Sequence, residues 1–85
     1  MQRFNHVLEI SEGIHARPAM ALANMARMLD SKITVAHGER KANAKNMPAL
    51  LALRAFQGDQ VTFMVEGETE EEDTQKLKEF CDFNL

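Results

Sequence analysis

Seven consecutive residues, Gly13-Ile14-His15-Ala16-Arg17-Pro18-Ala19, bring a nucleophile, a cation and a helix start into one short stretch. The nucleophile is His15. A neutral imidazole has a free lone pair at physiological pH, its reference pKa being about 6.5, so it attacks an electrophile without a separate base. The electrophile that suits these neighbours is a phosphoryl group. Once attached it carries about two negative charges, which must be held without being trapped. A helix N-terminus does this with unpaired amides, here those of Ala16 and Arg17, and with the positive end of the helix dipole. Pro18 falls in the first turn, where its missing N–H removes only a donor that has no intrahelical partner. Arg17 adds a guanidinium whose geometry matches phosphate oxygens. Gly13 lets the chain turn sharply and is expected to leave room for an incoming partner. Such a set suits a group that is taken up and passed on rather than hydrolysed. A lone histidine at a helix start is, however, often no more than a cap or a surface residue. On residue chemistry alone the two readings weigh equally.

For the chemistry to work, the stretch must sit where a strand gives way to a helix. Phe4, His6, Leu8 and Ile10 alternate with Asn5, Val7 and Glu9, which predicts a first strand, and Ser11-Glu12-Gly13 reads as a turn. From Ala16 to about Leu29 the period changes: Ala19, Leu22, Ala23, Ala26 and Leu29 recur every three or four residues as a core-facing stripe. Lys32–Ala36 and Arg40–Asn43 are predicted strands, joined through His37-Gly38-Glu39 and paired as a hairpin. Asn46-Met47-Pro48 carries an N-cap and a first turn, with Leu50 and Leu53 on the buried side. Val61, Phe63 and Val65 alternate with Thr62, Met64 and Glu66 in a fourth strand. Glu70 to Asp73 should be the solvated start of a last helix, docked by Leu77, Phe80 and Cys81. The order β-α-β-β-α-β-α implies an α+β fold with helices packed on one sheet face.

Composition narrows the function further. Residues 1–85 are expected to form a single domain, since no repeat, linker or low-complexity segment interrupts them. A net charge of −3 supplies no basic field for nucleic acid, and no aromatic and basic pattern suggests base stacking. No apolar run nears the ~20 residues of a membrane span, and the N-terminal residues show no apolar signal-peptide region. A cytoplasmic protein without direct membrane insertion is expected. Cys81 is the sole cysteine, which excludes an intramolecular disulfide and fits a reducing compartment. His6, His15 and His37 lack metal-ligand spacing, so neither a metal nor another cofactor is expected. His6 reads as a packed, hydrogen-bonded residue on the apolar side of the first strand, His37 as a solvent-exposed turn residue, and Cys81 as semi-buried packing.

A second face of the first helix carries Arg17, Met20, Asn24 and Arg27. Met20, with Met47 and Leu51 from the second helix, forms a predicted apolar patch beside His15, rimmed by Arg17, Arg27 and Lys45. An apolar centre with a charged rim suits a transient interface, and flexible methionines suit several partners in turn. A basic rim also speeds encounter with acidic partners. The competing reading puts Met20 and Met47 in the core of slightly rotated helices. Met25 and Met28 would either extend the interface or serve self-association, and the sequence does not decide between these.

The string Gly13 to Ala19 closely resembles the active-site signature of the HPr family, the histidine-containing phosphocarriers of the bacterial phosphoenolpyruvate:sugar phosphotransferase system. Ile33-Thr34-Val35, Ala42, Ala44-Lys45, Leu50, Leu53 and Gln57-Gly58 are similar to the family's pattern at like positions, so the resemblance covers nearly the whole chain. It implies an open-faced β-sandwich, a four-stranded antiparallel sheet with three helices on one face. It also implies that Enzyme I phosphorylates His15 on Nδ1, with phosphoenolpyruvate as the ultimate donor. Arg17 would then steady the group, and a IIA domain of a sugar permease would receive it. Such a carrier turns over only with its partners, so it is not an autonomous enzyme, and a monomer is expected. Family members meet both partners through the face that here holds Met20, Asn24, Arg27, Lys45, Met47 and Leu51. The family's serine at the start of the second helix, a target of a regulatory kinase, is replaced here by Asn46, which has no hydroxyl to modify. Serine-directed regulation is therefore not expected. An alternative makes the chain a regulatory adaptor whose His15 phosphorylation state controls binding to another protein. A third possibility, a structural interaction domain, would make the pairing of His15 with Arg17 accidental.

Overall fold

The computed structural model describes all of residues 1–85. Along the chain lie β1 (Gln2–Val7), α1 (Ala16–Arg27), β2 (Lys32–His37), β3 (Arg40–Asn43), α2 (Met47–Leu51), β4 (Gln60–Glu66) and α3 (Glu70–Asn84). The strands form one antiparallel sheet in the order β1-β4-β2-β3, and the helices cover one face, which is the expected open-faced α+β sandwich.

Alternation decides which face is covered. Val61, Phe63 and Val65 of β4 are fully buried, as are Ile33 and Val35 of β2, which stand opposite Val65 and Phe63. On its other side Phe63 pairs with Phe4 of β1, and the two rings stack with centroids 4.9 Å apart. Full burial of a side chain of this size contributes about 2–3 kcal/mol. Above the sheet, α1 supplies Ala19, Leu22, Ala23 and Ala26, α2 supplies Leu50, and α3 supplies Leu77 and Cys81. All join one hydrophobic cluster of 20 buried residues. The small alanines let α1 approach its neighbours closely.

The element ends differ from the sequence expectation for physical reasons. Regular pairing of β1 with β4 stops where Val7 meets Gln60, short of the expected Ile10. Beyond it the partner is a loop: Leu8 N donates to Asp59 O at 2.9 Å and Gly58 N donates to Leu8 O at 2.8 Å. α1 stops at Arg27 because Met28 and Leu29 donate only three residues back, to Met25 and Ala26, in a tightened last turn. Met25 packs against the core, and Met28 is exposed.

The start of α3 is the larger correction. Glu71 and Glu72 are solvated as expected, but Asp73 is only 4% exposed. Its Oδ2 accepts from Ser31 N at 3.2 Å, Ser31 Oγ at 2.6 Å and Thr69 Oγ1 at 2.8 Å. Burial pushes this carboxyl upward, yet the bonds from Ser31 and Thr69 outweigh it and hold the group below the usual aspartate range. A first-turn acid thus ties α3 to the α1–β2 connection. Cys81 is buried, which with the nearby Asp82 carboxylate pushes its thiol up to about 12.

Candidate functional site

Backbone bonds in the turn ahead of His15 fix where its helix begins. After β1, Glu9 N and Ile10 N donate to Leu85 O at 2.6 and 3.3 Å, and Gly13 N closes the turn onto Ile10 O at 3.1 Å. Glu12 and Gly13 both take positive φ, 81° and 63°. Ile14 then buries its side chain and donates its amide to Ala55 O at 3.0 Å. Gly13 is where this turn presses on the α2–β4 loop. A Cβ there would stand 2.4 Å from both Ala55 O and Phe56 Cα. The missing side chain therefore makes room for the protein's own backbone, not for an incoming partner as the sequence suggested.

His15 caps α1 in an extended conformation, φ −112° and ψ −169°, and its ring makes no capping hydrogen bond. The ring is half-buried and borders a shallow depression with Ile10, Arg17, Pro18, Ala21 and Asn84. Ala19 N already donates to His15 O at 2.9 Å, and Pro18 has no amide hydrogen. That leaves the amides of Ala16 and Arg17 without an acceptor in the chain, at the positive end of a 12-residue helix. Arg17 is exposed and takes part in no ion pair within the chain. It also lines a groove on its other side with Ala16, Met20, Ala21 and Asn24. One helical turn thus presents a nucleophile, two open amides and an unengaged guanidinium, which together can accept a dianion and release it.

The residues of the expected docking face lie on adjoining helices, because α1 packs against α2. Met20 is 52% exposed, and Asn24 and Arg27 are exposed beside it. Met47 and Leu51 are half-buried and lean on the core, so the core reading holds in part for Met47 and not for Met20. The rim also differs from a ring of free charges. Arg27 Nε donates to Lys45 O at 3.1 Å and its Nη1 to Asn24 Oδ1 at 3.1 Å, while Lys45 Nζ donates to Leu29 O at 2.9 Å. Arg27 and Lys45 thereby lash the end of α1 to the β3–α2 turn. Asn46 caps α2, its Oδ1 accepting from Ala49 N at 3.1 Å.

The other histidines depart from expectation. His6 lies on the inner side of β1, but its buried Nε2 has no hydrogen-bond partner. His37 is not a solvent-exposed turn residue. It ends β2, its Nδ1 donates to Leu53 O at 2.9 Å, and its Nε2 lies 3.3 Å from Asp59 Oδ2. Neither this pairing nor the role of Ala55 and Phe56 was visible in the sequence, which places the end of the second helix before Gly58, whereas α2 stops at Leu51. No group of three His, Cys, Asp or Glu side chains converges to hold a metal ion. No helix is long and apolar enough to cross a membrane.

The family model for the PTS HPr component phosphorylation site matches residues 3–82. The phosphocarrier protein HPr of Lysinibacillus sphaericus is 43% identical over 60 residues, which is 71% of this chain and 68% of that protein. The phosphoryl donor subunit DhaM of a PEP-dependent dihydroxyacetone kinase from Providencia stuartii is 36% identical over 61 residues, or 72% of this chain, and the chain spans 13% of its length. The crystal structure of HPr-C-His from Thermoanaerobacter tengcongensis has a TM-score of 0.90 and 30% identity, covering 96% of this chain and 92% of that one.

Proposed function

Because the chain belongs to the HPr family of phosphocarriers of the phosphotransferase system, we propose that His15 accepts a phosphoryl group from Enzyme I and passes it to a IIA domain. Phosphoenolpyruvate is the ultimate donor in this reading. The His15 Nδ1 lone pair attacks phosphorus as the bond to the donor breaks, and Nε2 keeps its proton. The amides of Ala16 and Arg17 receive the equatorial oxygens, and the Arg17 guanidinium balances their charge. Onward transfer repeats the exchange with the acceptor as nucleophile. The observation that carries the reading is the pair of open amides beside a ring that makes no capping bond. A relative named as a phosphoryl donor subunit supports the same chemistry.

The partners dock on the face formed by Met20, Asn24, Arg27, Lys45, Met47 and Leu51, and residues 1–85 act as one monomeric, cytoplasmic unit. Asn46 leaves the kinase-regulated position without a hydroxyl, so control through that position is absent.

Incubation with Enzyme I and labelled phosphoenolpyruvate tests this. The wild type should take up acid-labile, alkali-stable label, His15→Ala none, and added IIA protein should remove it. Arg17→Glu should slow loading or discharge by about tenfold or more. A wild type that takes no label overturns the proposal, and label that never moves to an acceptor favours the adaptor alternative.

A further inference from the structure

The turn that aims His15 leans on Ala55 and Phe56, and those two residues belong to a loop with no regular structure of its own. We infer that His37 and Asp59 are positioning residues for His15, which together hold the α2–β4 loop where its backbone seats Gly13 and Ile14. The inference rests on His15 being the phosphoryl acceptor.

The loop buries Leu53 and Ala55 but leaves the segment between them and Asp59 to be fixed by polar contacts. Arg54 sits at φ 52°, a conformation sparsely allowed to a residue with a Cβ, so the segment is away from its intrinsic preference. The Phe56 side chain is 55% exposed and anchors little. Bonds to Leu8 and Glu9 hold the loop's far end at Gln57 to Asp59, and around Ala55-Phe56 the further bonds involve Asp59 and His37. Asp59 Oδ2 accepts from Phe56 N at 2.9 Å, and Asp59 N donates to Phe56 O at 2.9 Å. The same Oδ2 lies 3.3 Å from His37 Nε2, while His37 Nδ1 donates to Leu53 O at 2.9 Å. His37 thus donates to the loop on the Leu53 side of Ala55-Phe56 and sets its second nitrogen against the Asp59 carboxylate on the other side, an ion pair when the ring is protonated.

The grip has a firm base. β2 lies between β4 and β3, and His37 pairs with Arg40 just after Ala36 pairs with both Lys41 and Thr62. On the far side of the loop, Ala55 O takes the Ile14 amide at 3.0 Å, and Phe56 Cα leaves no space for a Cβ on Gly13. From His37 through Asp59 and Phe56 to Gly13, each step is a bond or a van der Waals contact, and Gly13 is two residues from the nucleophile. Loss of the clamp lets the loop relax outward and unseats the turn. The His15 ring and the Ala16 and Arg17 amides then lose their mutual alignment. Phosphoryl transfer is sensitive to such shifts, a misplacement of about 1 Å costing on the order of a hundredfold.

The test compares the wild type with His37→Ala, Asp59→Ala and Asp59→Asn, each at a temperature where circular dichroism shows it folded. Two readouts are taken: kcat/KM for phosphorylation by Enzyme I with phosphoenolpyruvate, and the amide resonances of Ile14, Ala16 and Arg17 in the unphosphorylated protein. Both alanine variants should fall by about tenfold and shift those amides. Asp59→Asn keeps an acceptor oxygen for the Phe56 amide and should stay within about twofold. Alanine variants that leave either readout at its wild-type value overturn the inference. So does an Asp59→Asn variant as slow as Asp59→Ala. If an alanine variant does not fold, the other decides, with His37→Thr as the β-compatible substitute. A wild type that takes no label sinks the function of His15 alone, because the amide resonances still report whether the clamp holds the turn.

Discussion

Gly13 meets two demands at once, a φ of 63° and backbone atoms 2.4 Å from where a Cβ would stand. Alanine cannot satisfy both, so Gly13→Ala should destabilise the protein by about 2–4 kcal/mol, measured by urea denaturation. It should also slow His15 phosphorylation more than tenfold in the fraction that stays folded. A variant that keeps wild-type stability would mean that the loop backbone yields more easily than its contacts imply. This glycine also shows what one sequence makes legible. A turn at Ser11-Glu12-Gly13 was readable, and so was the helix start that leaves the Ala16 and Arg17 amides open beside His15, because both depend on immediate neighbours in the chain. The use of the vacant space at Gly13 was not readable, because it depends on Ala55 and Phe56 folding back against it. His37 and Asp59 were hidden for the same reason: their pairing follows neither helical nor strand periodicity.

At the scale of elements, strands and helices followed the hydrophobic period closely, since alternation in β4 and the three-and-four spacing in α1 leave little freedom in assigning a buried face. The edges of elements were less legible. β1 ends where its partner strand runs out, a fact about β4 and not about the residues of β1. Asp73 looked like a solvated first-turn acid because its partner Ser31 lies 42 positions away. α2 has only five residues, so its cap carries unusual weight. Asn46→Ala removes the acceptor for Ala49 N and should cost about 1 kcal/mol, seen as a lower thermal midpoint. Asn46→Ser should keep most of the stability, since a serine hydroxyl caps nearly as well. A fall as large as that of alanine would show that something other than capping is at work.

For the molecule as a whole, Asp73 joins α3 to the α1–β2 connection, so its titration should be felt in global stability. The fold holds this carboxyl below its usual range. Its contribution is therefore complete above the unfolded value of about 3.9 and is lost as pH falls through the lower folded value. Asp73→Asn should lower stability near neutral pH by roughly 1–3 kcal/mol, and thermal midpoints of the two proteins should converge toward pH 2. Parallel curves down to that pH would contradict the assignment. The strand order has a separate consequence. β4 is hydrogen-bonded to both β1 and β2, with Gln2 opposite Val65 and Lys32 opposite Glu66. Of all the sheet's pairings, only the β2–β3 hairpin is local. A nascent chain emerging from a ribosome could close that hairpin early, but β1 must wait, its inner edge unsatisfied, until the last strand is synthesised and slots into the middle.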